Sequence, residues 1–160
     1  MKIEGKILGI DLGTKKTGLA YSDENQLIAF SWKIIEGNLE AQLNILSDII
    51  QNAIEGPFTK VVFGLPSKEG EWKDKIQTFA LKFTSKLQEH RQEDPSNEHQ
   101  ENYHIPLVAF QDEDFSSFKA GQNLAEIKSK LPKKKRQQMN TAKDDAESAR
   151  IMLQAYLDKK

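Results

Sequence analysis

Ile7-Leu-Gly-Ile-Asp-Leu-Gly-Thr-Lys-Lys-Thr-Gly-Leu-Ala-Tyr-Ser22 decides the reading of the chain. An apolar strand from Lys6 to Leu12 is followed by a tight turn through Gly13, Lys15 and Lys16. A second strand then runs from Thr17 to Ser22, and two such runs around a short Gly-containing turn predict a hairpin. Asp11 breaks the pattern. It lies between Ile10 and Leu12, where an unpaired carboxylate costs several kcal/mol to bury. It therefore calls for a partner, which could be a cation, a phosphate-bound metal or the turn amides of Gly13 and Thr14, the last being an ordinary Asx-type cap.

The surrounding chain supplies the rest of a mixed sheet. Leu27 to Ile35 reads as a third strand and Gly37-Asn38 ends it. Leu39, Leu43, Leu46, Ile50 and Ala53 fall on one face of an amphipathic helix. The short apolar run Lys60-Val-Val-Phe-Gly64 predicts a strand buried on both faces, closed by Pro66, which cannot continue a central strand. A second helix carries Trp72, Ile76, Phe79, Phe83 and Leu87 on one stripe. Between His90 and His104 no apolar periodicity survives, so a polar, mobile insertion at about 90–104 is expected within a single domain spanning 1–160. Ile105 to Phe110 is the fifth strand. A weaker helix from about Ser116 to Leu131, a basic connector Pro132-Lys-Lys-Lys-Arg136 and a final helix complete the order. Thr141 and Asp144 form a capping-box-like start to that last helix, and Asp145, Ala149, Met152, Leu153 and Tyr156 form its stripe. Three strands in a meander followed by β-α units predict an α/β fold with a mixed five-stranded sheet and helices on its faces.

Bulk composition narrows the function. At 160 residues, 38% hydrophobic and 29% charged, the chain is of ordinary globular composition. The net charge of −1 argues against wholesale electrostatic attraction to nucleic acid or membrane, so any basic site must be local. The absence of cysteine removes disulfides, thiolate metal sites and Cys nucleophiles. No signal pattern or apolar run of transmembrane length is present, and a soluble cytoplasmic protein is expected. There is no phosphate-binding loop of the Walker type, no Gly-x-Gly-x-x-Gly and no Ser-His-Asp arrangement. Asp-Leu-Gly-Thr also occurs in the phosphate loops of actin- or sugar-kinase-like ATPases, but those folds need two such domains.

Acidic residues stand where α/β sheets build their sites, at strand ends and helix starts. Asp11 is on the first strand, Asp112-Glu113-Asp114 follow the fifth, and Asp144-Asp145 open the last helix. Convergence of three would require a neutralising cation, and all-oxygen ligands point to Mg²⁺ or Mn²⁺. Two ions, about 3.5–4 Å apart, would activate a water and stabilise the leaving oxygen of a phosphodiester. Asp144 suits a helix cap, whereas Asp145 shares the stripe of Ala149 and Met152. Alternation puts Glu113 opposite Asp112 and Asp114 without saying which side faces a site. Taken one at a time, each acidic pair is also readable as solvated loop charge or a cap.

Four pieces, Gly9-Ile-Asp-Leu-Gly-Thr14 with Gly18, Val61-Val-Phe-Gly-Leu-Pro66 with Gly70, Asp112-Glu113, and Asp145 through Ser148-Ala149 to Leu153-Gln-Ala-Tyr-Leu157, resemble the YqgF/RuvX family of the RNase H-like superfamily. Each is weak alone; their order and their span of nearly the whole chain make the set specific. The resemblance implies an RNase H-like fold, a catalytic and metal-binding set of Asp11, Glu113 and Asp145, and nuclease activity in maturing the 5′ end of 16S ribosomal RNA. An alternative is a Holliday junction resolvase acting on branched DNA, which would need a dimer to cut two strands symmetrically; the RNA reading favours a monomer. Lys15, Lys16, Lys133, Lys134, Lys135 and Arg136 are then candidate contacts to a phosphate backbone, their plainer reading being solvated charge. The chain departs from the family pattern at Asp114, where an Arg is usual, and at Ser116-Ser117, where a Thr is common. The exchange at Asp114 keeps open a third alternative, a non-catalytic nucleic-acid-binding or ribosome-assembly module. Trp72 could stack on a base, but its place on the Ile76/Phe79 stripe favours packing.

Overall fold

Ile7, Leu8 and Ile10 are wholly buried, so the strand that carries them needs cover on both faces and a neighbour on both edges. The computed structural model, which describes residues 5–52, 57–93, 105–112 and 143–159, gives β1 (Lys6–Asp11) that central place. Its hairpin partner β2 (Lys16–Ser22) runs antiparallel to it, and β3 (Ala29–Glu36) extends the meander outward. On the other side β4 (Phe58–Leu65) and β5 (Leu107–Asp112) run parallel to β1, giving the order β3-β2-β1-β4-β5. Three helices are described: α1 (Leu39–Gln51), α2 (Glu71–Glu93) and α3 (Lys143–Asp158). The side chains of residues 90–93 and 143–145 are outside the description. No described helix is long and apolar enough to cross a membrane.

Strand pleating sorts the core into two layers. Leu8, Ile10, Leu19, Val61 and Phe63 pack against Leu46 and Ile50 of α1 and Ile76, Phe79, Phe83 and Leu87 of α2. Ile7, Ala20, Ala29 and Val62 point the other way, onto Ala149, Met152, Leu153 and Leu157 of α3. Gly9 lies on this second face, where a Cβ would come within 3.0 Å of the Leu153 Cβ. Its bare backbone lets α3 settle directly on the central strand.

The predicted elements that fall among the described residues are present, with shifted ends. β3 starts at Ala29 rather than Leu27, because the Asp23 carboxylate accepts the amides of Leu27 and Ile28, each at 2.8 Å, and curls them into a turn with Gln26 at φ 60°. Those bonds, Ile28's first, hold the Asp23 carboxyl below its ordinary value. β5 runs two residues past Phe110, since Gln111 and Asp112 pair with Gly64 and Leu65. α2 continues through Glu93, so 90–93, expected to open the polar insertion, are helical; Glu, Gln and Arg are good helix formers that leave no apolar stripe to read. Asn38 is the N-cap of α1, accepting the Ala41 amide at 2.8 Å. The rest of the predicted insertion, the helix from about 116 to 131 and the Pro132–Arg136 connector lie outside the described residues, as does Thr141 of the capping-box-like start.

Polar contacts clamp α3 to the far edge of the sheet. Ser31 Oγ donates to Glu147 at 3.1 Å, the Ala29 amide donates to Gln154 Oε1 at 2.9 Å, and Gln154 Nε2 donates to the Leu27 carbonyl at 2.9 Å. Arg150 Nε donates to Glu147 at 2.9 Å, and this hydrogen bond is the main reason the Glu147 carboxyl titrates below its ordinary 4.5. A carboxyl whose pKa is depressed on folding stabilises the fold above its unfolded pKa and loses that effect as pH falls through the lower, folded value. Replacing Arg150 by Gln is therefore expected to cost about 0.5 kcal/mol near neutral pH, the size of a solvent-screened pair, and nothing once Glu147 is protonated. Urea unfolding of both proteins from neutral pH down through the acid range checks this; a gap that stays constant as the pH falls would remove the pair from the account.

Candidate active site

Parallel strands bring their C-terminal ends to one edge of a sheet. Here β1, β4 and β5 end together, with Asp11 last in β1 and Asp112 last in β5. α3 starts toward that edge and runs away from it. Its Gln154 bonds Ala29, which pairs with Ser22, while Glu147, two turns nearer its start, bonds Ser31, level with Ala20 and Gly9. Each turn toward the N-terminus of α3 is thus a step along β1 toward Asp11.

Register places a specific row across this edge. Asp11 pairs with Gly18 on β2. Ile10 pairs with Phe63, so Gly64 follows beside Asp11, and Gly64 pairs with Gln111. In the row Gly18, Asp11, Gly64, Gln111 only the aspartate and the glutamine carry side chains. Asp11 alternates with Gly9 and Ile7, and Gln111 with Ala109, which packs in the α3 layer, so both belong to the α3 face. Asp112 pairs with Leu65, which packs in the other layer; it is exposed and faces away from α3. Asp11 is half-buried. Gln111 is 5% exposed, and its side-chain oxygen is buried with no hydrogen-bond partner among the described residues.

A buried polar network fixes the turn after Asp11. The Gly13 amide donates to Thr17 Oγ1 at 3.1 Å, and the Thr17 hydroxyl donates in turn to Gln42 Oε1 of α1. Gln42 Nε2 donates to the carbonyls of Gly13 at 3.0 Å and Gly37 at 2.9 Å. Gly13 has no room for a side chain, since a Cβ would stand 2.1 Å from the Lys16 carbonyl oxygen. One glutamine thereby ties the hairpin turn to the β3–α1 connection.

Of the residues predicted to form the site, Asp11 is placed at the sheet edge. Asp145 lies in the first turn of α3, one turn before Ala149, and its side chain is not described. Glu113, Lys133, Lys134, Lys135 and Arg136 lie outside the described residues. Lys15 and Lys16 are exposed in and beside the turn that follows Asp11, and Lys16 stands 3.7 Å from Glu36 in a solvent-exposed pair. Trp72 is half-buried against the α1/α2 layer, as packing requires. A groove of about 680 Å³ between α1 and α2, lined by Leu39, Leu43, Phe79, Glu71 and Asp74, belongs to the other layer and does not include Asp11.

The donors present suit a hard cation. A carboxylate and a buried amide oxygen without a partner among the described residues share one row, and neither sulfur nor imidazole belongs to that row. Among the described residues no three His, Cys, Asp or Glu side chains cluster as a metal site. Gln111 and Gln42 were not singled out by the sequence patterns. The only signal for Gln111 is a polar amide two residues after Ala109 in a strand whose alternate positions are buried.

Comparison with known proteins accords with this geometry. The chain is 34% identical to a protein of Flavobacterium psychrophilum over 97% of its own length and 98% of that protein's, and 33% identical to one of Phocaeicola vulgatus over 97% and 96%; both are provisionally named pre-16S rRNA nucleases. Its fold is that of the fowlpox virus resolvase, solved with Holliday junction DNA, at a TM-score of 0.53 and 14% identity over 96% of this chain and 97% of that one. This is the RNase H-like arrangement of a mixed five-stranded sheet with helices on its faces. Over residues 5–159 the chain matches the family model described as RuvX, Holliday junction resolvase, and it belongs to that family of nucleases.

Proposed function

We propose that this nuclease hydrolyses phosphodiester bonds in structured RNA, and that its task is 5′-end maturation of precursor 16S ribosomal RNA. The observation that carries the reading is the row at the sheet edge, where Asp11 and, two strands away on the same face, a buried oxygen without a partner among the described residues lie at the end where α3 starts. The names of the full-length relatives favour RNA as the substrate.

Asp11, Glu113 and Asp145 form the catalytic set in this reading and hold the cations, two ions of Mg²⁺ or Mn²⁺. Such ions, when bound, supply Lewis acidity to the scissile phosphate and its attacking water. Asp11 fixes their position relative to the sheet, because it is paired with Gly18 of β2 and follows directly on Ile10, which pairs with Phe63 of β4. The outward face of Asp112 favours Glu113 over its neighbour. Asp145 approaches from α3, whose start lies toward the same edge. Lys15 and Lys16 lie next to Asp11 in the chain and contact the phosphate backbone, with Lys133, Lys134, Lys135 and Arg136 extending the contact; each neutralised phosphate adds to a salt-dependent affinity. The protein acts in the cytoplasm as a monomer and a single domain.

The family model's description favours a second reading, resolution of branched DNA. Incubation with a precursor 16S fragment and with a four-way DNA junction, each with Mn²⁺, Mg²⁺ or EDTA, separates the two. Cleavage of the RNA alone, abolished by EDTA, is expected. Cleavage of the junction alone would transfer the assignment to the resolvase. RNA binding indifferent to the cation and without cleavage would leave a binding module, with Asp114 in place of the family's Arg as the first residue to revert.

A further inference from the structure

The side-chain oxygen of Gln111 is buried, neutral and without a partner among the described residues, one row position beyond Gly64 from Asp11. Leaving such an atom unsatisfied is costly, so one left in a folded core needs a reason. A trapped water would need two to four polar partners, roughly three on average. The described residues one same-face step back along β4 and β5, Val62 and Ala109, are apolar and belong to the α3 layer. The polar side chain on the same row is Asp11. Adjacent strands lie about 4.8 Å apart, so the backbones of Asp11 and Gln111 are about 10 Å apart, with both side chains on one face and only glycine between. Amide carbonyls are ordinary oxygen ligands of hard divalent cations.

The geometry points to Gln111 as a ligand: its side-chain carbonyl supplies a neutral oxygen to a divalent cation held by Asp11. This rests on the nuclease reading of the same edge and adds a residue to it. A neutral ligand strengthens the grip on the ion without adding a further negative charge beside the scissile phosphate. Because Gln111 is 95% buried, the proposal places it beneath the ion, away from the nucleic acid.

Mn²⁺ titration of the full chain, followed by electron paramagnetic resonance or calorimetry, tests the assignment in wild type, Gln111→Leu, Gln111→Glu and Asp11→Asn. Gln111→Leu is expected to bind Mn²⁺ at least about ten-fold more weakly, since loss of even an outer-shell partner costs that much, while its melting temperature in EDTA equals or exceeds that of the wild type, because an unsatisfied polar atom has been removed. Gln111→Glu, which keeps an oxygen at that point, should retain binding at least as tight as wild type. Wild-type affinity in Gln111→Leu together with loss in Asp11→Asn would overturn the role of Gln111 and leave the nuclease site standing. Equal loss in Gln111→Leu and Gln111→Glu would also overturn it, as would collapse of Gln111→Leu in EDTA. A wild-type protein that neither binds Mn²⁺ nor cleaves RNA would overturn both readings together.

Discussion

Asp11→Asn is expected to lower cation-dependent cleavage about a thousand-fold while leaving the fold intact. Asparagine keeps the shape of the side chain and removes its charge, so the half-buried position at the end of β1 is not disturbed sterically. The loss follows from the cation's part in the reaction. Charge stabilisation of the scissile phosphate is worth several kcal/mol, and a loss of about 4 kcal/mol is about three powers of ten in rate. Asp112→Asn is the matching control. Asp112 is exposed and faces away from α3, so its neutralisation should leave cleavage within about two-fold of wild type, a change of under 0.5 kcal/mol. Single-turnover rates at saturating Mg²⁺ with circular dichroism of each variant give the comparison. Similar losses in the two variants would mean that the strand faces have been misassigned.

Gln42→Leu is expected to destabilise the protein by about 3 kcal/mol, although it exchanges a polar side chain for an apolar one in a wholly buried position. The change strands the carbonyls of Gly13 and Gly37 and removes the acceptor of the Thr17 hydroxyl. Thr17 is wholly buried and the two glycines half-buried; a buried group left without a partner costs about 1–3 kcal/mol, a half-buried carbonyl less, and the three are coupled through one amide, so their costs do not simply add. The expected shift in urea midpoint is about 1.5 M for a slope near 2 kcal/mol/M. A midpoint within a few tenths of a molar of wild type would show that the turn satisfies itself in another way. Gln42→Glu separates size from hydrogen bonding, because a carboxylate cannot donate to either glycine carbonyl.

These two glutamines mark where the sequence stops being readable. Strand β4 is visible in Lys60–Gly64 because burial on both faces leaves an unbroken apolar run, and the α2 stripe of Ile76, Phe79, Phe83 and Leu87 is buried as its spacing requires. On α1 the stripe is only half the story: Leu46 and Ile50 are buried, but so are Gln42 and Ser47. Gln42 is inside because it bonds a turn 29 residues earlier in the chain, a long-range contact that helical spacing does not encode. Gln111 is similar, since its meaning comes from the register of β5 against β4 and β4 against β1. The strand ends moved for local reasons, as the curl of Leu27 and Ile28 onto Asp23 shows. The identity of Asp11 as the anomaly of β1 was legible because a carboxylate flanked by Ile10 and Leu12 contradicts its surroundings. The choice of Glu113 within its triplet rested on family resemblance; the structure adds the outward face of Asp112.

The packing of α3 has a consequence for how the enzyme comes into being. Residues 143–158 lie on β1, β2 and β3, which precede them by more than a hundred residues in the chain. During translation these strands emerge before the helix, so their α3-facing layer lacks the cover of α3 until α3 has left the ribosome. Ile7, Ala20 and Val62 are then exposed to solvent or to chaperones. Under the proposed assignment, Asp145 also arrives only at that point. A chain whose α3 has not yet emerged would therefore have no complete cutting site, and the nuclease would gain its activity only once that helix docks on the sheet.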